Sequence, residues 1–183
     1  MEPFFIFLSD GFEEIEALGT VDILRRAGLN VCTISMNDDL SVKTAHGVIV
    51  QADELFVNAD YTKSELLILP GGSMKLNEYP ALKEVLKAHD AKGRHIAAIC
   101  AAPAVLGCAG LLHGRRVTCY PGFEGYCEGA EITGELSTVD GNIITGKGPA
   151  ATLPFAYTLV EMFASKQIAD QLREGMIYNQ LVQ

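Results

Sequence analysis

Short apolar runs alternate with helix-like patterns from the first residues of the chain. Residues 4–8 are continuously apolar and lead into the turn Ser9-Asp10-Gly11, which indicates a buried strand. Residues 13–27 then predict a helix that ends at Gly28 and carries apolar side chains along one face: Ile15, Leu18, Val21 and Leu24. Residues 31–36 predict the next strand. Apolar strands on either side of a helix are typical of a βαβ unit in a parallel sheet.

The rest of the chain continues this alternation, with two predicted hairpins. One hairpin pairs residues 40–43 with 48–51 around His46-Gly47, and the other pairs 136–139 with 143–145 around Asp140-Gly141-Asn142. Further strands are expected at residues 66–69 and 96–99, and helices at 81–91, 103–109, 152–164 and 168–178. No repeat or linker interrupts the pattern. It therefore predicts one doubly wound α/β domain over residues 1–183.

The charge pattern argues against two classes of partner. The chain has 183 residues, a formal net charge of −9 and 14 basic residues, which do not cluster beyond two Arg-Arg pairs. A nucleic-acid binder needs a basic face to neutralise phosphates, and an acidic surface does not favour anionic membranes. Residues 1–8 lack the features of a signal peptide, and the uncharged stretch 96–112 is broken by proline and glycine. We therefore expect a cytoplasmic protein without nucleic acid or membrane as a partner.

The five cysteines are expected to be free thiols and not metal ligands, because no CxxC pair occurs and no histidine lies at zinc-finger spacing. Cys32 and Cys108 lie in apolar surroundings and are expected to be small buried residues. Cys100 differs, because it follows an apolar strand and precedes Ala101-Ala102-Pro103. Proline favours the first turn of a helix, so Cys100 is expected at a strand-to-helix elbow where the helix dipole lowers its pKa. A buried structural cysteine is the alternative.

Two other strand ends carry unusual residues. Glu13, Glu14 and Glu16 open the first helix, where carboxylates complement the helix dipole. Glu16 lies near the apolar line, so burial would raise its pKa and let it donate a proton, whereas Glu13 and Glu14 reach solvent more easily. Gly71-Gly72 follows the strand 66–69 and forms either an oxyanion hole or an ordinary turn. No phosphate-loop motif occurs.

The four histidines offer little support for a cysteine–histidine–acid triad. His89 lies in a predicted helix and His95 begins a strand at its far end, so we expect both on the surface. His113 lies in a predicted turn. Of the four, His46 is the one placed to approach the site. The sequence therefore favours a carboxyl-assisted cysteine over one activated by histidine.

Four motifs span most of the chain: Asp10-Gly11-Phe12-Glu13-Glu14-Ile15-Glu16, Arg25-Arg26-Ala27-Gly28, Leu69-Pro70-Gly71-Gly72 and Ala98-Ile99-Cys100-Ala101-Ala102-Pro103. In combination they resemble the ThiJ/PfpI superfamily, in the branch that contains the parkinsonism-associated protein deglycase. The resemblance implies a flavodoxin-like, doubly wound three-layer sandwich with a mostly parallel central sheet and a cysteine nucleophile elbow. It also implies a homodimer.

The resemblance assigns roles to individual residues. Cys100 would be the nucleophile, Glu16 the protonated carboxyl bonded to its sulfur, and the amides of Gly72 and Ala101, beside Gly71, the oxyanion pocket. The dimer contact would involve Glu13, Asp22 and Arg26, and Pro149 would close the pocket of the neighbouring subunit. Three positions depart from relatives: Ala101 replaces the histidine of protease-like members, and pocket residues His46 and Tyr120 replace arginine and histidine. The first departure argues against peptidase activity.

The implied activity is that of a cofactor-independent glyoxalase or deglycase in the stress response. Its partner would be a small reactive aldehyde, such as methylglyoxal, or a glycated adduct. The alternative is a redox sensor or chaperone in which Cys100 is oxidised. A thiamine-pathway role, which some relatives are assigned, finds no support here in a phosphate loop or a metal cluster.

Overall fold

The computed structural model describes residues 2–181, which form a three-layer α/β sandwich. The strands are β1 (Phe4–Leu8), β2 (Val31–Ser35), β3 (Ser41–Lys43), β4 (Ile49–Gln51), β5 (Glu54–Leu55), β6 (Leu66–Leu69), β7 (His95–Ile99), β8 (Arg116–Val117), β9 (Glu131–Ile132), β10 (Ser137–Asp140) and β11 (Ile143–Gly146). The α-helices are α1 (Glu14–Arg26), α2 (Pro80–Asp90), α3 (Ala102–Cys108), α4 (Thr152–Phe163) and α5 (Lys166–Gly175).

The central sheet has seven strands in the order β10-β11-β7-β6-β1-β2-β5. β10 is antiparallel to β11, and the other neighbouring pairs are parallel. The direction of winding reverses between β1 and β6, and ligands of such sheets bind outside the carboxyl ends of the strands at the reversal. β6 and β7 end at Leu69 and Ile99, which places Gly71-Gly72 and Cys100 at this edge.

Two apolar layers cover the sheet. β1 directs Phe4, Ile6 and Leu8 to one face and Phe5 and Phe7 to the other, because successive side chains of a strand alternate. The first face packs against α1, α4 and α5, and the second against α2 and α3. The predicted flavodoxin-like sandwich with a mostly parallel sheet is therefore confirmed.

The predicted elements lie within a few residues of the observed ones. Both hairpins are confirmed, as β3 with β4 and β10 with β11. The sequence missed β5 and the short parallel pair of β8 and β9. These strands have two residues each, which is too short for an apolar period to be recognised.

The predicted apolar face of α1 is wrong in part. Ile15 and Leu18 are 58% and 37% exposed. The buried residues of the helix are Glu16, Ala17, Thr20, Val21, Ile23 and Leu24. The helix is rotated so that the Glu16 carboxyl faces the strand ends, where it accepts a hydrogen bond from Gly71 N. Two apolar side chains are left in solvent as a result.

The expected burial of four other residues needs correction. Cys108 is exposed because it ends α3, and Cys32 is only partly buried. His89 is buried, and its ring nitrogen Nε2 donates to the His95 carbonyl at 3.1 Å. Burial lowers the pKa of His89 to about 4. His95 is half-buried against Phe163. Among residues 2–181, no helix has the length and apolarity that a bilayer span requires.

Candidate active site

Cys100 occupies a strained turn between β7 and α3. Its φ of 64° is in the left-handed region. Among the other non-glycine residues of the described chain, Ile177 alone adopts this conformation. Two hydrogen bonds hold this backbone: Cys100 N donates to Gly146 O at 2.9 Å, and Tyr120 N donates to Cys100 O at 2.8 Å. Strain of this kind persists where the surroundings over-determine the conformation, and it is frequent at functional sites. The predicted elbow is present.

Glu16 approaches the elbow from α1. Its side chain is fully buried, and Oε2 accepts a hydrogen bond from Gly71 N at 2.8 Å. The carboxyl also faces the Cys100 thiol, and its Oε1 has no hydrogen-bond partner among the described residues. Burial raises the pKa of Glu16 to about 7, with a smaller contribution from the charge of Glu13, against the lowering effect of the Cys100 and Gly71 hydrogen bonds. Glu16 is thus an inward-facing acid that titrates near neutral pH.

The Cys100 thiol has a raised pKa, which contradicts the expectation from a helix N-terminus. Burial, followed by the charge and hydrogen bond of Glu16, raises it to about 12. The amides of Gly72 and Ala101 hydrogen-bond to the sulfur and oppose this shift. The helix dipole is outweighed because the thiol is 7% exposed and faces a carboxylate.

The two raised pKa values describe one coupled pair. With pKa values of about 7 and about 12, thiol and carboxyl together retain one proton over that range. When this proton lies on Glu16, the neutral carboxyl no longer opposes an anionic sulfur. The Gly72 and Ala101 amides then face a thiolate. The site can therefore pass a proton between sulfur and carboxyl, which is what a nucleophile with its own acid requires.

The Gly71-Gly72 turn makes this close approach possible. A Cβ on Gly71 would lie 2.6 Å from the Cβ of Cys100 and 2.7 Å from Oε2 of Glu16. Gly72 has a φ of 103°, and a Cβ there would meet Gly11 O and, at 2.5 Å, Glu13 N. Glycine is therefore required at position 72 for two reasons: the φ is positive, and the neighbouring backbone leaves no room for a Cβ.

A cavity of about 190 Å³ lies between the turn after β8 and the segment that follows β11. Tyr120 and Pro149 line it together with Pro121, Leu136 and Lys147. Tyr120 and Pro149 are thus brought together within one chain. Because Tyr120 N also bonds to the carbonyl of Cys100, the wall of the cavity is tied to the elbow.

The structure does not place His46 on this cavity. His46 is on the β3–β4 hairpin, where its Nδ1 lies 3.0 Å from Glu14 Oε2 and its side chain is 72% exposed. The ion pair raises the pKa of His46 and lowers that of Glu14. His46 remains a predicted pocket residue without a contact to Cys100.

The predicted dimer residues differ in their surroundings. Arg26 Nε donates to Asp22 Oδ2 at 2.7 Å in an exposed pair on α1. Glu13 is buried, contrary to the expectation that it reaches solvent, because its Oε2 accepts the amide of Glu16 at 2.8 Å and caps α1. Its carboxyl is therefore used within the chain.

One group of potential metal ligands occurs among residues 2–181. Single ligand atoms of Glu13, Glu14 and His46 lie within 4.8 Å of one another. Hydrogen bonds already occupy this group, since Glu13 caps α1 and Glu14 pairs with His46. The geometry is explained without an ion.

Sequence reasoning missed Gly146, the acceptor for Cys100 N. A Cβ on Gly146 would lie 2.8 Å from Ile99 Cγ1, so this strand end also requires a small residue. The signal was present in the run Thr145-Gly146-Lys147-Gly148-Pro149, where a buried strand ends in glycine.

Comparisons with known proteins agree with this architecture. The chain is 36% identical over 175 residues to "Protein DJ-1 homolog B" of Arabidopsis thaliana, covering 93% of this chain and 40% of that protein. The chain therefore spans about two fifths of the length of that plant relative. It is 33% identical over 164 residues to "Glutathione-independent glyoxalase DJR-1.2" of Caenorhabditis elegans, covering 87% of each.

Solved structures show the same fold. A mutant of a DJ-1 superfamily protein from Salmonella typhimurium superimposes with a TM-score of 0.92 at 31% identity, covering 97% of this chain and 98% of that one. Oxidised DJ-1 of Toxoplasma gondii gives a TM-score of 0.89 at 33% identity, with coverage of 97% and 98%. The model of the DJ-1/PfpI family matches residues 4–162, which include the elbow, the buried carboxyl and the glycine turn. This chain belongs to the DJ-1/PfpI family.

Proposed function

We propose that this protein is a cysteine-dependent enzyme that acts on reactive α-oxoaldehydes such as methylglyoxal. The observation that carries the proposal is the convergence of the Cys100 thiol, the Glu16 carboxyl and the amides of Gly72 and Ala101. A relative that is 33% identical carries the name of a glutathione-independent glyoxalase, which supports the same chemistry here. Because all five cysteines are free thiols, we also propose a reducing, cytoplasmic location.

The reaction begins when the Cys100 sulfur attacks the aldehyde carbon of methylglyoxal. A C–S bond forms, the carbonyl π bond breaks, and the oxygen takes a proton to give a hemithioacetal. Glu16 then moves a proton between the two substrate carbons, so that the aldehyde carbon is oxidised to a thioester while the ketone is reduced to an alcohol. Water cleaves the C–S bond, which releases lactate and restores the thiol. One methylglyoxal and one water give one lactate, with no external oxidant.

Each group has a defined task in this sequence. Glu16, with a pKa of about 7, can accept and return a proton at neutral pH. The amides of Gly72 and Ala101 stabilise negative charge that develops beside the sulfur. A deglycase activity would use the same steps, after release of the oxoaldehyde from a glycated adduct.

The test measures methylglyoxal loss and lactate formation by the purified protein. We expect Cys100→Ala to abolish both, and Glu16→Gln to lower the rate by about 100-fold, as loss of a general acid–base group does. Cys108→Ala is the matched control, because this thiol is exposed at the end of α3 and should not affect turnover. Failure of the wild type to consume methylglyoxal, or equal rates for Cys100→Ala, would refute the proposal.

A redox role for Cys100 is the second candidate, favoured by the solved relative described as oxidised DJ-1. Two molecules of peroxide would convert the thiol to a sulfinic acid with release of two waters, and the Glu16 carboxyl would hydrogen-bond to the added oxygens. We expect mild peroxide to add two oxygens at Cys100 and none at the exposed Cys108. Equal oxidation of both cysteines would reject this role.

We propose further that two copies of the chain associate through α1 and the β3–β4 hairpin. Ile15 and Leu18 on α1, and Val48 and Ile49 on the hairpin, are exposed apolar side chains. Glu14 joins these elements through Thr44 and His46, so the apolar side chains lie on neighbouring surfaces. Large exposed apolar areas of this kind mark interaction surfaces.

Light scattering on a sizing column tests this association. The wild type should have the mass of a dimer, and Leu18→Asp should have that of a monomer. Val57→Asp is the control, because Val57 is 83% exposed on a different part of the surface. A monomeric wild type, or equal effects of the two variants, contradicts the proposed interface.

A further inference from the structure

A second pair of reactive groups lies in the turn that follows β8. Cys119 and Cys127 are each 3% exposed and belong to one buried cluster, where their side chains interact with each other. Both pack on the face of the sheet that carries α2 and α3. Cys100 packs on the opposite face, with α1 and α4. The two thiol sites are therefore separated by the sheet.

Successive hydrogen bonds fold the segment between the two cysteines into tight turns. Phe123 N donates to Tyr120 O at 3.1 Å, and Tyr126 N donates to Phe123 O at 3.1 Å. Cys127 N donates to Glu124 O at 2.9 Å, so the chain folds back on itself in successive tight turns. Gly107 of α3 packs directly against the carbonyl of Tyr126, where any Cβ would collide. The turn between the two cysteines is thus held from both sides, and Cys127 Sγ itself donates to Phe123 O at 3.9 Å.

We propose that Cys119 and Cys127 form a reversible disulfide and are a second oxidation site of this protein, independent of Cys100. One peroxide oxidises the first thiol to a sulfenic acid and releases water. The second thiol attacks this sulfur, the S–S bond forms, and the sulfenic oxygen leaves as a second water. Two thiols and one peroxide therefore give one disulfide and two waters. The inference does not depend on the proposed glyoxalase activity.

The disulfide would cross-link the turn that carries Tyr120. Tyr120 follows Cys119, donates its amide to the carbonyl of Cys100, and lines the cavity between the turn after β8 and the segment after β11. A bond between residues 119 and 127 closes a short loop around Tyr120, Phe123 and Tyr126. Oxidation of these two thiols would thus restrain the backbone segment that is hydrogen-bonded to Cys100.

Peptide mapping of native protein tests the bond directly. Wild type and Cys100→Ala are treated with one equivalent of hydrogen peroxide, the remaining thiols are alkylated in denaturant, and trypsin then releases peptide 117–147 with both cysteines. We expect this peptide to lack two hydrogens and carry no alkyl group in both proteins. Cleavage after Glu124 should leave two fragments that stay joined until dithiothreitol separates them.

Three results would overturn the proposal: alkylation of both thiols, a link from either thiol to Cys108, or a disulfide that forms only when Cys100 is present. Cys119→Ser and Cys127→Ser should each prevent the bond, so one suffices if the other fails to fold. Cys108→Ser is the matched control and should keep it.

Hydrogen exchange tests the restraint. The amides of residues 120–126 should exchange more slowly in the oxidised protein than in the reduced one. Equal exchange in the two forms would contradict a restraint on the Tyr120 turn.

Discussion

The two ends of the central sheet both bury an ionisable side chain, but they satisfy it differently. At the carboxyl end, Glu16 is fully buried and its carboxyl faces the Cys100 thiol. At the amino end, His89 is 4% exposed and its Nε2 donates to the His95 carbonyl. Burial moves both pKa values toward the neutral form, to about 7 for Glu16 and about 4 for His89.

The difference lies in the partners. At the amino end, the His89 ring is bonded to a backbone carbonyl, and the neighbouring Arg94 donates to the carbonyls of Thr62 and Ser64. At the carboxyl end, two groups that can each hold a proton face one another. Burial of an ionisable group is therefore not a sign of chemistry by itself. A second titratable group as its partner is the informative observation.

The largest effect should come from the glycine turn at the carboxyl end. We expect Gly72→Ala to destabilise the protein by about 4 kcal/mol or to prevent folding, because the new methyl group meets backbone at a positive φ. Gly93→Ala is the matched control at the amino end: its φ is 67°, and nothing lies within 4 Å of the added Cβ. It should cost about 1 kcal/mol. Urea denaturation measures both, and equal costs would show that the crowding at Gly72 is unimportant.

The pH dependence of stability should have opposite signs at the two ends. Folding raises the pKa of Glu16 from 4.5 to about 7, so the folded state holds its proton longer and its contribution to stability is lost as the pH rises across that range. Folding lowers the pKa of His89 from 6.5 to about 4, so its contribution is lost as the pH falls through that range. Each contribution is about 3 kcal/mol, from the size of the shifts. In the wild type the two slopes largely cancel.

Single substitutions separate these slopes. Relative to the wild type, Glu16→Gln should gain stability as the pH rises from 4.5 to 7. His89→Gln should lose stability relative to the wild type as the pH rises from 4 to 6.5. The free energy of unfolding measured at several pH values tests both. Slopes of the same sign in the two variants would remove the distinction between the ends of the sheet.

The fold was predictable because its strands are buried on both faces. Residues 4–8 and 66–69 are continuously apolar, and in each case a turn rich in polar residues or glycine follows. The two-residue strands β5, β8 and β9 carry no such period, and they form because longer neighbours hold them in place. The rotation of α1 was also hidden, since it depends on a hydrogen bond from Gly71 N, far along the chain.

The position of the site was predictable from the sequence, but the direction of the Cys100 pKa shift was not. Pro103 and the strand before Cys100 located the elbow, and the pair Gly71-Gly72 marked the facing turn. The sign of the Cys100 pKa shift was wrong, because it depends on burial and on contact with Glu16, which are tertiary properties. The contact between Cys119 and Cys127 was invisible for the same reason, since a turn of unknown shape separates them.

The smallest effect concerns the electrostatics of the carboxyl end alone. Glu13 caps α1 through the amide of Glu16. Its negative charge also contributes, after burial, to the raised pKa of Glu16. Glu13→Gln keeps an oxygen for the cap and removes the charge, so stability should change by less than about 1 kcal/mol while the pKa of Glu16 falls below about 7.

Glu14→Gln is the matched control for this change. It alters the next residue in the same helical turn by the same chemistry, but the carboxyl of Glu14 is directed to His46 and Thr44. The pKa of Glu16, measured by carbon NMR of the labelled carboxyl, should therefore fall in Glu13→Gln and stay unchanged in Glu14→Gln. Equal shifts would mean that Glu16 responds to the net charge of the helix terminus and not to its buried neighbour. In that case the pKa of Glu16 would be set by the total charge of the helix terminus, as on an ordinary charged surface, and not by a specific buried partner.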